Sequence, residues 1–272
     1  MLRVPNSVLS GIGALFAVLV YSEYRVDAAL LAIAFTTGFT VTGASMIVND
    51  IVDLQVDRVN KPWKPLPRGE ADVGKSWLLA SILVATALLA NTFLGLKPLA
   101  VTVFYTAIGL SYSFLRGESW SHLLVAASTT GPIIYGYVAA GNPRGDIYFT
   151  LTFTAVIFTV NLGREFMKAI QDYRGDLEHG YKTIATTLGV EKASQVMLAT
   201  GLTGSIMGAL TIIMENSIIY KALITTAALI YAYNIYQAYL NRDNKETLDK
   251  PRKNTLIAMY TGIIAFWLSK IH

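Results

Sequence analysis

The chain contains no cysteine, which removes a disulfide framework, a thiolate metal site and a cysteine nucleophile in one step. Charge is also scarce. Only 15% of its 272 residues are charged, against roughly 25% in an average soluble domain. The three histidines, His122, His179 and His272, are scattered, so an imidazole cluster for a soft metal is not expected. No stretch has the length or composition of a linker between soluble domains. The net charge of +4 is modest, and no nucleic-acid partner is expected. What remains is apolar: 53% of residues are hydrophobic and the mean hydropathy is +0.47. The sequence reads as an all-α integral membrane protein, a single transmembrane domain over 1–272.

Nine candidate spans are readable: Ser7 to Tyr21, Ala28 to Val48, Trp77 to Leu96, Leu99 to Leu115, His122 to Tyr137, Tyr148 to Ile170, Ala193 to Met214, Lys221 to Leu240 and Thr255 to Ile271. Several fall short of the roughly 20 residues that cross a bilayer untilted, so their ends must extend into flanking polar residues. The first follows Arg3 and imitates a signal peptide, but without a convincing small-residue cleavage site it reads as a retained helix. On this map one side of the membrane receives the N-terminus and the loops after spans two, four, six and eight. The other side carries Arg25, Lys97, Arg144, Lys221 and Lys270, leaving 17 of the 22 Lys and Arg on the first. By the positive-inside rule the N-terminus is cytoplasmic and the C-terminus external. The polar stretches 49–76 and 171–192 follow spans two and six, hinting at two four-helix halves plus a final helix.

Both of those stretches open on aspartates. Asn49-Asp50-x-x-Asp53-x-x-x-Asp57 closes the second span and Asp172-x-x-x-Asp176 closes the sixth, on the same, cytoplasmic, side. Residues three and four apart share a helix face, so each set offers hard oxygen donors together. Carboxylates at a helix C-terminus oppose the macrodipole and are costlier still near hydrocarbon. A divalent cation with an anionic ligand would offset that, and magnesium suits donors of this kind. The plain alternative is a solvated loop whose charges pair with Arg58, Lys61, Arg174 and Lys182. One cluster alone favours it; two at matching helix ends favour a metal site. Basic residues stand beside both. Lys61, Lys64 and Arg68 lie in a proline-stiffened segment, Asn60-Lys-Pro-Trp-Lys-Pro-Leu-Pro-Arg-Gly69. Lys168 and Arg164 stand one and two turns before Asp172, and Arg116 ends span four. Lys61 and Lys75 read better as membrane-side anchors. For Lys168, Arg164 and Arg116 an anion-binding role and snorkelling are balanced.

These residues resemble the UbiA-type intramembrane prenyltransferases: Asn49-Asp-x-x-Asp-x-x-x-Asp57, the run from Asp57 through Arg-Val-Asn-Lys-Pro-Trp-Lys-Pro-Leu-Pro-Arg-Gly69, and Asp172-x-x-x-Asp176. Nine helices around a central cavity opening to the cytoplasmic side match that family too. Within it the chain is most similar to the archaeal digeranylgeranylglyceryl phosphate synthases, through Arg3-Val-Pro-Asn-Ser-Val-Leu-Ser-Gly11, Gly163-Arg-Glu-Phe-Met-Lys-Ala-Ile-Gln-Asp172 and Gly180-Tyr-Lys-Thr-Ile-Ala185. In relatives the position of Ala169 is often acidic and that of Lys182 often Arg. The first departure puts a carboxylate role there in doubt; the second keeps the charge.

The resemblance implies transfer of a geranylgeranyl group from geranylgeranyl diphosphate to geranylgeranylglyceryl phosphate. It makes Asp50, Asp53, Asp57, Asp172 and Asp176 the catalytic set, with Mg2+ held by Asn49, Asp53, Asp172 and Asp176, and Asp57 alternatively an outer-shell ligand. Arg116, Arg164, Lys168 and Lys182 would hold the diphosphate. Arg3, Asn6 and Arg68 are candidates for the acceptor's phosphate. Tyr105, Tyr112, Tyr135 and Tyr137 could offer π faces to an allylic cation, although packing or an interfacial aromatic belt is the simpler account of each. Two other readings compete: the same chemistry with an aromatic or haem acceptor, and an ion-coupled transporter. Clustering of the acids at one face, among Lys, Arg and Pro, weighs against the transporter.

Overall fold

A computed structural model describes residues 3–143 and 146–270, and the side chains of 59, 60 and 245 also lie outside the description. Arg144, His272 and the expected span end Ile271 therefore fall outside the described residues. Helix makes up 81% of the described residues, with no strand among them. In chain order the helices are α1 (Val4–Tyr21), α2 (Ala28–Val52), α3 (Leu54–Asn60), α4 (Val73–Thr92) and α5 (Leu96–Leu115). There follow α6 (Ser121–Ser128), α7 (Gly131–Ala139), α8 (Ile147–Gln171), α9 (Tyr173–Glu178) and α10 (Ile184–Leu188). The last are α11 (Val190–Leu210), a 3-10 turn (Thr211–Met214), α12 (Ile218–Leu240) and α13 (Lys245–Leu268).

The chain divides into two compact units. One comprises Met1–Leu115 with Gly131–Arg144, the other Arg116–Thr130 with Gly145–His272. Each unit carries one aspartate cluster, as the expected halves do. The fifth run, however, is shared between them. It is not one helix but α6 and α7, interrupted at Thr129–Thr130. Pro132 stands just inside α7; it has no N–H to donate to Ser128 and its ring opposes that carbonyl, so a helix arriving from α6 cannot continue through it.

Among the described residues seven helical stretches are long and apolar enough to cross a membrane: α1, α2, α4, α5, α8, α11 with its 3-10 turn, and α12. The protein is a multi-pass membrane protein. Besides the broken fifth run, the ninth differs, because α13 begins ten residues before Thr255 and its first turns carry Lys245, Glu246, Asp249, Lys250, Arg252 and Lys253. Large apolar side chains such as Phe93, Leu96, Ile213 and Ile218 are exposed, a surface suited to hydrocarbon and not to water.

Helices inside each unit approach closely where side chains are small, the usual means of association where lipid removes the hydrophobic drive. In the first unit a Cβ on Gly38 of α2 would stand 2.5 Å from the Ser10 carbonyl oxygen of α1. In the second a Cβ on Gly163 of α8 would stand 3.2 Å from Gly201 Cα of α11. The first unit is also tied by a buried polar link. Asn91 of α4 donates to Thr37 Oγ1 of α2 at 2.8 Å, and its Oδ1 accepts from the Tyr135 hydroxyl of α7 at 2.9 Å.

Candidate active site

In both units an aspartate interrupts a long helix at its end. Asp53 separates α2 from α3 with φ −77° and ψ 1°, and Asp172 separates α8 from α9 with φ −94° and ψ 5°. Both lie in the bridge region that ends a helical turn without redirecting the chain far. The backbone ladder continues across each break. Asp53 N–H donates to the Asn49 carbonyl at 2.9 Å and Asp57 N–H to the Asp53 carbonyl at 2.8 Å. Asp172 N–H donates to Lys168 and Asp176 N–H to Asp172, each at 2.9 Å. The two motifs are thus the same local construction used twice, an aspartate at the break and a second one turn later. They differ one turn before the break, where Asn49 in the first matches Lys168 in the second, and Asp50 matches Ala169.

The first set is buried: Asp50, Asp53 and Asp57 expose 3%, 6% and 2% of their surface. Burying three carboxylates demands compensation. Lys64 supplies much of it, its ammonium 2.8 Å from Asp50 Oδ1 and in contact with Asp57 Oδ2. Arg3 approaches Asp50 at 3.5 Å and Lys61 approaches Asp57 at 3.9 Å. Asp53 accepts from Asn49 Nδ2 at 2.9 Å, so the two side chains stand together at the break.

The second set is more open. Asp172 is exposed and Asp176 half-buried. Burial, then the neighbouring Asp172, pushes the Asp176 carboxyl up to about 6, against the opposing pull of Arg116, His179 and a hydrogen bond with Thr183. The Arg116 guanidinium lies over the Tyr181 ring, 5.9 Å from its centroid. Lys182 N–H donates to the Gly117 carbonyl at 3.0 Å, tying the segment after α9 to the turn before α6, while the Lys182 side chain is exposed. Lys168 is gripped by both carboxylate oxygens of the buried Glu165, each at 2.9 Å. Arg164 has its Nε buried without an acceptor among the described residues. An orphaned buried donor of that kind costs about 1–3 kcal/mol, and an anion would relieve it.

The remaining candidates separate. Arg3 joins the first cluster, Asn6 is exposed at the start of α1, and Arg68 is exposed and paired with Glu70 at 2.8 Å. Tyr135 spends its hydroxyl on Asn91, and Tyr137 packs edge-on against Tyr21 at 5.4 Å. Tyr105 lies on Gly131 and edge-on to Phe104 at 5.3 Å; Tyr112 is partly exposed on α5. Sequence reasoning did not single out Lys64 as the partner of Asp50 and Asp57, nor Glu165 as the partner of Lys168. The second was legible as an i, i+3 pair on one helix; the first depends on how a loop folds back.

Among the described residues no three His, Asp or Glu side chains form a group able to hold a metal ion. The donor chemistry nevertheless fits magnesium with an anion: Asn and Asp oxygens only, and an arginine donor awaiting an acceptor. A helical membrane fold with repeated aspartate breaks and adjoining cations defines a class, the intramembrane prenyltransferases. The pattern of the UbiA prenyltransferase family matches residues 10–266, and the chain belongs to that family. It is 28% identical to the digeranylgeranylglyceryl phosphate synthase of Saccharolobus solfataricus over 100% of this chain and 95% of that protein. A solved structure concerning digeranylgeranylglyceryl phosphate synthase superimposes with a TM-score of 0.84 at 24% identity, covering 99% and 96% of the two chains. A UbiA homologue from Archaeoglobus fulgidus, bound to DMAPP and Mg2+, superimposes with a TM-score of 0.72 at 18% identity over 97% and 98%.

Proposed function

We propose that this prenyltransferase moves a geranylgeranyl group from geranylgeranyl diphosphate to the free hydroxyl of geranylgeranylglyceryl phosphate, making the second ether bond of an archaeal membrane lipid. The observation that carries the reading is the repeated aspartate break, Asp53 with Asp57 and Asp172 with Asp176. Cations accompany both copies. The full-length likeness to a synthase of that name supports the choice of acceptor. Nine crossings in one catalytic domain belong to the same proposal, with the N-terminus and a central cavity's mouth cytoplasmic and the C-terminus external.

In this reading Asn49, Asp53, Asp172 and Asp176 hold magnesium, which supplies Lewis acidity to the departing diphosphate. Lys168, Arg116, Arg164 and Lys182 place positive charge where negative charge grows as the allylic C–O bond breaks. The electron pair leaves with the diphosphate, and the acceptor hydroxyl oxygen bonds to C1 and loses its proton. Arg3, Asn6 and Arg68 orient the acceptor's phosphate. Tyr105 and Tyr112 offer ring faces to an allylic cation in this reading, whereas Tyr135 gives its hydroxyl to Asn91 and Tyr137 packs edge-on against Tyr21.

The test offers labelled geranylgeranyl diphosphate and magnesium to purified protein in liposomes, with geranylgeranylglyceryl phosphate and 4-hydroxybenzoate in parallel. Label is expected on the glyceryl phosphate. Label on the aromatic acid would keep the chemistry and replace the acceptor. No transfer and no diphosphate release in folded protein would overturn the reading.

A further inference from the structure

We infer that Lys64 is a resident counter-cation: its ammonium holds Asp50 and Asp57 together, leaving Asn49 and Asp53 as the motif's metal-facing pair. The inference rests on the function proposed above and divides its first motif into two halves with different tasks. Asp50 and Asp57 are almost wholly buried, stand seven residues apart on the α2–α3 trace, and meet the same Lys64 ammonium, itself 14% exposed. Two anions sharing one ammonium in a poorly hydrated place, with Arg3 3.5 Å from Asp50 and Lys61 3.9 Å from Asp57, are already largely compensated. A divalent cation brought to the same oxygens would have to expel that ammonium or sit against its charge. Asp53 accepts a hydrogen bond from the Asn49 amide at 2.9 Å, which keeps those two side chains together at the break.

The segment around Lys64 is built to deliver this charge. Pro62, Pro65 and Pro67 restrict the backbone on both sides of it, and Leu66, two residues on, is buried as an apolar anchor. Holding the lysine in place therefore costs less conformational entropy than it would in an unrestrained loop. The second motif is built differently. Ala169 replaces the first acid, and Asp176 is half-buried instead of enclosed. The extra acid Asp50 and the proline-held Lys64 occur together in the first motif. Lys64 is thus a positioning residue: it fixes the carboxylates flanking the break, and through them the angle at which Asn49 and Asp53 are presented.

The test uses the whole protein in detergent with Mn2+ as the metal probe, reading free Mn2+ by electron paramagnetic resonance and melting temperature in chelator. Lys64→Met is expected to lower the chelator melting temperature by roughly 5–10 °C, as removing one side of a buried ion pair does. Lys64→Arg restores it, and adding Asp57→Asn to Lys64→Met recovers most of the loss because the two groups are coupled. Asp53→Ala should weaken Mn2+ binding by roughly 10-fold or more, while Asp57→Asn stays within about threefold of wild type. A Lys64→Met protein that melts like wild type in chelator overturns the inference. So does an Asp57→Asn protein that loses Mn2+ as severely as Asp53→Ala, a comparison that stands even if Lys64→Met does not fold. Failure of transfer to every acceptor would remove the proposed function and leave these melting and Mn2+ readings to decide Lys64.

Discussion

Replacing Asp53 or Asp172 by alanine separates chemistry from folding, because both aspartates end a helix with backbone alone. Neither side chain makes a capping hydrogen bond to the helix that follows. The ladder through each break is carried by main-chain groups at 2.8–2.9 Å, which alanine preserves. At Asp53 the hydrogen bond from Asn49 Nδ2 is lost, and one such bond is worth about 1 kcal/mol. For a chain of this size that lowers the melting temperature by about 2–4 °C. At Asp172, which is exposed, the loss is smaller, and removing its charge relieves a repulsion that adds to burial in raising the Asp176 pKa. Activity responds on another scale. A group that stabilises charge developing on the leaving diphosphate contributes about 3–4 kcal/mol, a factor of roughly 10²–10³ in turnover. The assay is initial-rate transfer of labelled geranylgeranyl groups at saturating magnesium, beside a melting curve of the same preparation. A variant that turns over at the wild-type rate refutes the ligand assignment. One that loses activity only in proportion to lost folded protein refutes the separation.

Three further outcomes follow from other parts of the molecule. Asn91→Ala removes the link between Thr37 and Tyr135; a loss of about 1–2 kcal/mol, read as a lower melting temperature, is expected with transfer per folded molecule unchanged, and Tyr135→Phe should likewise keep wild-type transfer. Gly38→Val would set a side chain against the Ser10 carbonyl, and overpacking of about 1–3 kcal/mol should appear as a lower melting temperature that Gly38→Ala only partly shares. Asp176 has its carboxyl raised from 3.8 to about 6, so between those values the folded state holds a proton that the unfolded state has released. Stability of the chelator-treated protein should therefore fall as pH rises through that window, the magnesium needed for half-maximal rate should rise as pH drops below about 6, and Asp176→Asn should flatten the stability trend.

What the sequence discloses and what it hides follow from how far apart the interacting groups lie along the chain. The aspartate sets are legible because their spacing is local: positions three and four apart on one helix meet whatever surrounds them. The break inside the fifth run could have been read for the same reason, since Pro132 forbids a continuous helix by its own covalent structure, but hydropathy alone joins α6 to α7 into one expected span. The break at Asp53 is less visible. Its neighbours Val52 and Leu54 are compatible with helix, and the backbone turns out of it by only one residue. Lys64 is a different case. Among Lys61, Lys64 and Arg68, all in one basic segment, only the path of the chain through Pro62, Pro65 and Pro67 selects the one that reaches two buried acids, while Lys61 stays at 3.9 Å from one of them and Arg68 turns to Glu70. Composition cannot make that choice, because all three carry the same charge. The choice is made by the compensation that buried carboxylates require, and burial is a property of the folded chain.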